Sequence, residues 1–124
     1  MKTLISSDAS PAPAGPYSPA LKVGEWIFLS GQGGFDPETG KMISEDIAEQ
    51  TAQTFRNIEV LLEAAGASLA DVVSCLVHLA ELSDYAAFNA IYAKQFPGIK
   101  PVRTTVRADL VAGMRVEITA VAQA

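Results

Sequence analysis

The side chains of this sequence that lend themselves to chemistry are an arginine and a glutamate on its last two apolar segments. Arg103 stands in Pro101-Val102-Arg103-Thr104-Thr105-Val106 and Glu117 in Val116-Glu117-Ile118. Read as strands, the period of 2 puts Arg103 and Thr105 on one face and Val102, Thr104 and Val106 on the other. It also turns Glu117 away from its apolar neighbours. A guanidinium holds a carboxylate through two parallel charge-assisted hydrogen bonds, and a nearby glutamate could position or deprotonate a water. Spacing alone favours the plainer reading, an ordinary salt bridge between the two strands.

Other chemistries fit less well. Ser30-Gly31-Gln32-Gly33-Gly34 lacks the Lys-Ser/Thr ending of a nucleotide-binding P-loop. It reads as a turn or bulge leaving a strand, although its glycines also let backbone amides approach a ligand. Cys75 and His78 are the one cysteine and the one histidine. They stand three apart on a predicted strand, on opposite faces and without partners, so the expectation is a structural role for each, no metal site and no cysteine nucleophile. A lone cysteine also precludes an intrachain disulfide and suits a reducing compartment.

Composition narrows the partners. A formal net charge of −5 offers no basic face to a phosphate backbone, so nucleic acid is not expected. The first residues lack the apolar run and cleavage site of a signal peptide, and no stretch approaches the length of a membrane span, so a cytoplasmic location is expected. With 49% hydrophobic and 19% charged residues, the 124-residue chain is apolar for its size. Burial of part of its surface against other copies of itself would account for that.

The elements that must carry these residues can be read in order. Lys2 to Ser6 suits a short strand, and Ala9 to Ala20, with prolines at 11, 13, 16 and 19, should run extended along the surface. Leu21 to Gly31 reads as two strands about a tight turn at Gly24-Glu25. Asp36-Pro37-Glu38-Thr39-Gly40 is a turn. Asp46 to Ala65 is a helix, opened by an Asp46/Glu49 capping box, striped by Ile47, Thr51, Phe55, Ile58, Leu62 and Ala65, and stopped by Gly66. Val72 to Leu79 is a strand with Val73, Cys75, Val77 and Leu79 on one face and Ser74, Leu76 and His78 on the other. A second helix from about Asp84 to Phe96 aligns Tyr85, Phe88, Tyr92 and Phe96 and ends at Pro97-Gly98. Strands over Val102 to Ala108 and Arg115 to Ala122 complete the chain. The expectation is one domain over residues 1–124, an α+β layer with both helices on one face of a mixed sheet and the other face open to a partner.

At this point a family resemblance is legible. Gly15-Pro16-Tyr17-Ser18-Pro19-Ala20, Phe28-Leu29-Ser30-Gly31-Gln32 and Asp36-Pro37-Glu38-Thr39-Gly40 resemble consecutive blocks of the RidA (reactive intermediate/imine deaminase, YjgF/YER057c/UK114) family. Asp46-Ile47-Ala48-Glu49-Gln50-Thr51, Leu61-Leu62-Glu63-Ala64-Ala65-Gly66, Phe88-Asn89-Ala90-Ile91-Tyr92, Pro101-Val102-Arg103 and Val116-Glu117-Ile118 follow in family order. The resemblance covers nearly the whole chain. It implies a chorismate-mutase-like α+β fold and a homotrimer whose three sheets form a central barrel, with a site in each subunit interface.

The implied activity is hydrolysis of reactive 2-imino and enamine acids to 2-keto acids and ammonia, without metal or cofactor. By resemblance, Arg103 grips the substrate carboxylate, Glu117 positions water, and Tyr17 and Ser30 line the site. Gly31, Asn89 and Thr105 belong to the pocket. Two departures stand out. Thr104-Thr105 replaces the Ser-Cys of the best-known imine deaminases, and Gly33-Gly34-Phe35 replaces a bulkier segment. Both are compatible with a paralogue serving one pathway, such as an aminomuconate-type deaminase. A trimer that binds a keto acid for regulation, without turnover, would need the same arginine. The family has also been described as a ribonuclease or translation inhibitor, which the acidic balance argues against.

Overall fold

The computed structural model describes all residues 1–124. Its strands are β1 (Lys2–Ile5), β2 (Ala20–Val23), β3 (Trp26–Leu29), β4 (Val72–Leu79), β5 (Val102–Arg107) and β6 (Val116–Gln123). Its helices are α1 (Ile47–Ala64) and α2 (Tyr85–Gln95), and short 3-10 turns at Leu69–Asp71 and Leu82–Asp84 lead into β4 and α2. The strands form one six-stranded mixed sheet in the order β1-β2-β3-β6-β4-β5. Every pairing is antiparallel except β4 with β5, which α2 connects as a crossover. The α+β layer expected from the sequence is the one observed.

Alternation explains the layer. Along β6, Val116, Ile118, Ala120 and Ala122 are buried while Glu117, Thr119 and Val121 are not. The buried set joins Ile27, Leu29, Cys75, Val77 and Leu79 beneath Phe55, Ile58, Leu61 and Leu62 of α1 and Phe88 and Tyr92 of α2. Phe55 meets Tyr92 and Phe96 edge-on at ring separations of 5.6 and 5.7 Å, which locks the two helices together over one face of the sheet. The opposite face exposes Trp26, Phe28, Leu76, Val102 and Val106, an apolar surface of the kind that a partner covers.

Three local expectations are revised. A β-bulge between Val72 and Ser74 breaks the alternation at the start of β4, so Val72 faces the core and Val73 is exposed. Tyr85, aligned by spacing with the aromatic stripe of α2, is instead exposed at the first turn. The capping box is half formed: Asp46 Oδ2 accepts from Glu49 N at 2.9 Å, but the Glu49 carboxylate takes the Ser44 hydroxyl rather than Asp46 N.

Helix α1 also buries a second stripe, of amides and hydroxyls, that hydrophobic periodicity does not show. Asn57 Nδ2 donates to the carbonyls of Gly33 and Phe35 at 3.0 and 2.9 Å. Gln50 donates to the Ser44 and Gly113 carbonyls and accepts from Arg115 N at 2.8 Å. Arg115 is in turn held by both carboxylate oxygens of Asp84, at 2.8 and 3.0 Å. These buried polar groups are satisfied by loop backbone, so α1 fixes the loops after β3 and before β6.

Candidate functional site

The loops that α1 fixes enclose a cleft of about 740 Å³, within the range of small-molecule sites. One wall is the proline-rich arm from Pro11 to Pro19. The other is Ser30 to Gly33, Met114 and the outward side of β6 at Glu117 and Thr119. Prolines donate no backbone hydrogen bonds, so the arm is held from elsewhere. Ser30 Oγ donates to the Ser18 carbonyl at 2.6 Å, and Ser30 N donates to Pro19 at 2.9 Å. The Ser30 hydroxyl proton is thus spent on the arm, and its lone pairs remain. Tyr17, half exposed, accepts from Ala14 N through its hydroxyl at 3.2 Å, which leaves its own proton free.

Glu117 is the only charged side chain of that cleft. Its carboxyl lies directly on the backbone of Gly31, where an added Cβ would come within 2.8 Å of Glu117 Cδ and 3.0 Å of Oε2. Only glycine allows that approach. On the other side, the register of β4 with β6 places His78 opposite Glu117. His78 Nδ1 and Glu117 Oε1 are 4.0 Å apart.

Arg103 is elsewhere. It pairs with Cys75 on β4, which pairs in turn with Ala120 on β6, so its side chain leaves the helix-bearing face of the sheet. There Nη1 donates to Asn89 Oδ1 and Nη2 to Tyr85 Oη, both at 2.9 Å. The guanidinium carbon lies 4.7 Å from the ring centre of Tyr92 and 5.5 Å from that of Phe88, within cation–π range. Arg103 has no carboxylate partner in the chain, where the ion pairs are Arg115–Asp84 and the long His78–Glu117 contact. The interstrand salt bridge favoured by spacing does not form, because Arg103 and Glu117 stand on opposite faces of the sheet.

The structure therefore divides the residues expected at the site. Tyr17, Ser30, Gly31 and Glu117 share the cleft. Arg103, Asn89 and Thr105 share the other face, Thr105 paired with buried Val77 one period beyond Arg103. Cys75 and His78 lie on opposite faces, as alternation requires. Sequence reasoning missed Tyr85 and Tyr92 as partners of Arg103, which a helix one connection upstream of the arginine strand could have suggested. It also missed Asn57 and Gln50, whose signal is a buried polar row beside the apolar one.

Both halves hold polar atoms that lack partners. Buried side-chain atoms with no hydrogen bond are Tyr92 Oη, Thr105 Oγ1 and His78 Nδ1. The first two belong to residues beside Arg103 and the third faces Glu117. Native interiors leave few such groups, and these gather where ligand chemistry would use them. The Cys75 thiol beside Tyr92 is at best a weak and poorly aligned partner. Burial is the main cause that pushes the Cys75 thiol above its ordinary 9.0, with Tyr92 and Arg103 opposing. Burial first, then Cys75, pushes the Tyr92 hydroxyl up from 10.0, with Arg103 opposing. Both groups stay protonated and neutral around Arg103.

The chain as a whole is similar to known proteins. The model of the endoribonuclease L-PSP family matches residues 7–124. A RutC family protein of Pyrococcus horikoshii is 42% identical over 98% of both chains. The 2-iminobutanoate/2-iminopropanoate deaminase of Mus musculus is 38% identical, over 98% of this chain and 91% of its own. The crystal structure of RidA from an Antarctic Psychrobacter superposes with a TM-score of 0.95 at 41% identity, covering 98% of this chain and 99% of that one.

Proposed function

The chain belongs to the endoribonuclease L-PSP family, which includes the RidA proteins, and from that membership we propose that it hydrolyses 2-imino acids to 2-keto acids and ammonia. The observation that carries the reading is Arg103, a guanidinium oriented by two neutral hydrogen-bond acceptors and an aromatic bed yet without an anion. A cation held in one place and left unpaired is built for an anionic ligand, and the planar fork of its N–H groups suits a carboxylate.

Arg103 would anchor the substrate carboxylate, with Asn89 and Tyr85 keeping the fork in place. The Thr105 hydroxyl, buried and free, would hydrogen-bond beside it. Glu117 would hold a water against the imine carbon, with Tyr17 and Ser30 bounding the cleft. Attack by that water on the carbon of the C=N bond gives a carbinolamine, whose collapse expels ammonia and leaves the keto acid. Such imines hydrolyse unaided, so positioning alone supplies useful acceleration. The cleft carries no lysine or arginine along its walls, which disfavours an RNA backbone there.

The two halves stand on opposite faces of one sheet, so a complete site needs Arg103 of one copy and Glu117 of another. The exposed apolar face and the unpaired edge strand β5 support a homotrimer in which the open faces pack together. The test is an imine-hydrolysis assay on substrates made in situ from alanine, leucine and aromatic amino acids, read as ammonia release. Arg103→Ala and Glu117→Gln are each expected to be impaired. Refolded together, they should recover activity, because about one site in four then combines the intact residue of each. No acceleration by the wild type on any imine would remove the general deaminase reading and leave a pathway-specific deaminase or a keto-acid-binding trimer. Absence of recovery in the mixture would remove the shared site.

A further inference from the structure

Behind Glu117, outside the lining of the cleft, stands an ionisable side chain that the proposed reaction does not use. His78 lies opposite Glu117 in the β4–β6 pairing, and its Nδ1 is buried without a hydrogen-bond partner. Glu117 Oε1 faces it at 4.0 Å, about 1 Å beyond hydrogen-bond length. The atom is too enclosed for water to serve it in place of the carboxylate. The strands flanking His78 bring Glu117 opposite it from β6 and Val106 opposite it from β5, so Glu117 is the one ionisable group among its register neighbours.

The two oxygens of Glu117 are in different surroundings. Oε1 is the one nearer the imidazole, and Oε2 lies over Gly31, which lines the cleft. A carboxylate with both oxygens free can rotate, which spreads a bound water over several positions. A donor fixed to one oxygen stops that rotation and presents the other in a single direction. We propose that His78 is a positioning residue for Glu117, its Nδ1–H donating to Oε1 so that Oε2 is left to hold the attacking water. The imidazole touches neither substrate nor water. It acts through the carboxylate, by direction. The kinetic part of this proposal rests on the deaminase reading of Glu117; the coupling of the two side chains does not.

His78 is the only histidine in the chain, so its ring nitrogens can be followed by ¹⁵N NMR without assignment. The expected result is a proton on Nδ1, with an Nδ1 resonance that changes in Glu117→Gln, because the carboxylate is the partner of that N–H. A bare Nδ1 whose resonance ignores Glu117→Gln would overturn the proposal whether or not the protein turns over imines. In kinetics, His78→Asn keeps a donor near the Nδ1 position, whereas His78→Leu keeps bulk and loses the donor. His78→Leu should lower kcat about tenfold with KM little changed, and His78→Asn should restore most of it. A purely structural histidine predicts the reverse order, with Leu better tolerated than Asn on this half-buried strand.

Discussion

The two halves of the candidate site are built by different means. Arg103 is carried by a strand and braced by a helix: the two hydrogen bonds it donates to α2 side chains and the faces of Tyr92 and Phe88 fix its guanidinium. Glu117 is also on a strand, but its cleft is walled by the proline arm and by loops that α1 ties down through Asn57 and Gln50. One half places a charge where packing over-determines it. The other makes room for a small reacting molecule by using glycine and proline, which bring backbone close without filling space. The contrast fits the division of labour proposed above, in which binding demands a rigid anchor and hydrolysis demands a shaped void.

The largest expected effect tests the anchor. Arg103→Ala removes the guanidinium that Asn89 and Tyr85 hold in place, and the loss of charge-assisted hydrogen bonds should lower kcat/KM about 100-fold. Arg103→Lys should recover only a part, since an ammonium cannot reproduce the planar fork. Steady-state kinetics on a 2-imino acid checks this, with circular dichroism to confirm the fold. An Arg103→Ala enzyme of normal kcat/KM would show that the anchor lies elsewhere.

The next effect tests the void. Gly31→Ala puts a methyl within 2.8 Å of Glu117 Cδ, so the carboxyl must move. A displacement of that size should lower kcat about tenfold while leaving KM within a few-fold, because the anchor is untouched. If KM rose instead and kcat held, the carboxylate would be binding substrate rather than directing water, and the two halves would no longer differ in role.

The sequence made the elements legible because each is marked twice. The β-branched runs are bounded by Gly24, Pro37, Gly66 and Pro97, and the stripe of α1 is framed by Asp46 and Gly66. The bulge at Val72 and Ser74 has no such mark, since neither residue needs unusual backbone freedom, and it reversed the side on which Val73 lies. The amide row of α1 was invisible for a related reason. Periodicity scores Gln50, Gln53 and Asn57 as solvent-facing, and only the carbonyls of distant loops make their burial favourable. The resemblance names the proposed site residues as a set, but not their arrangement. Alternation assigns faces within β5 and within β6, whereas the relation between the two passes through β4 and depends on both registers. Those registers put Arg103 on one side and Glu117 on the other.

A smaller effect separates binding from folding on the Arg103 side. Thr105 Oγ1 is buried and unpartnered, so Thr105→Val replaces it by a methyl of the same shape. Removing an unsatisfied buried hydroxyl should stabilise the protein, by about 1 kcal/mol in urea unfolding. KM for an imino acid should rise a few-fold, since the hydroxyl is proposed to serve the ligand. Lower stability in Thr105→Val would mean that the hydroxyl is already satisfied in the assembled protein, and that this half is less open to a ligand than its unpaired atoms indicate.

The smallest effect distinguishes the halves by their response to alkali. Cys75 and Tyr92 beside Arg103 have ionisations pushed up by burial, and neither residue lines the cleft around Glu117. Raised values mean that the folded chain keeps its protons longer than the unfolded chain does. The associated stability is fully present below the ordinary thiol value of 9.0 and is lost as pH rises through the folded value. For Cys75 the loss is at most about 1.4 kcal/mol per pH unit over that interval. Urea midpoints measured between pH 8 and 10.5 should therefore fall, and fall less steeply in Cys75→Ala, whose overall stability is lower because of the cavity. Glu117→Gln should leave the slope unchanged. An equal change of slope in both variants would mean that the alkaline loss belongs to the whole fold and not to the aromatic bed of Arg103.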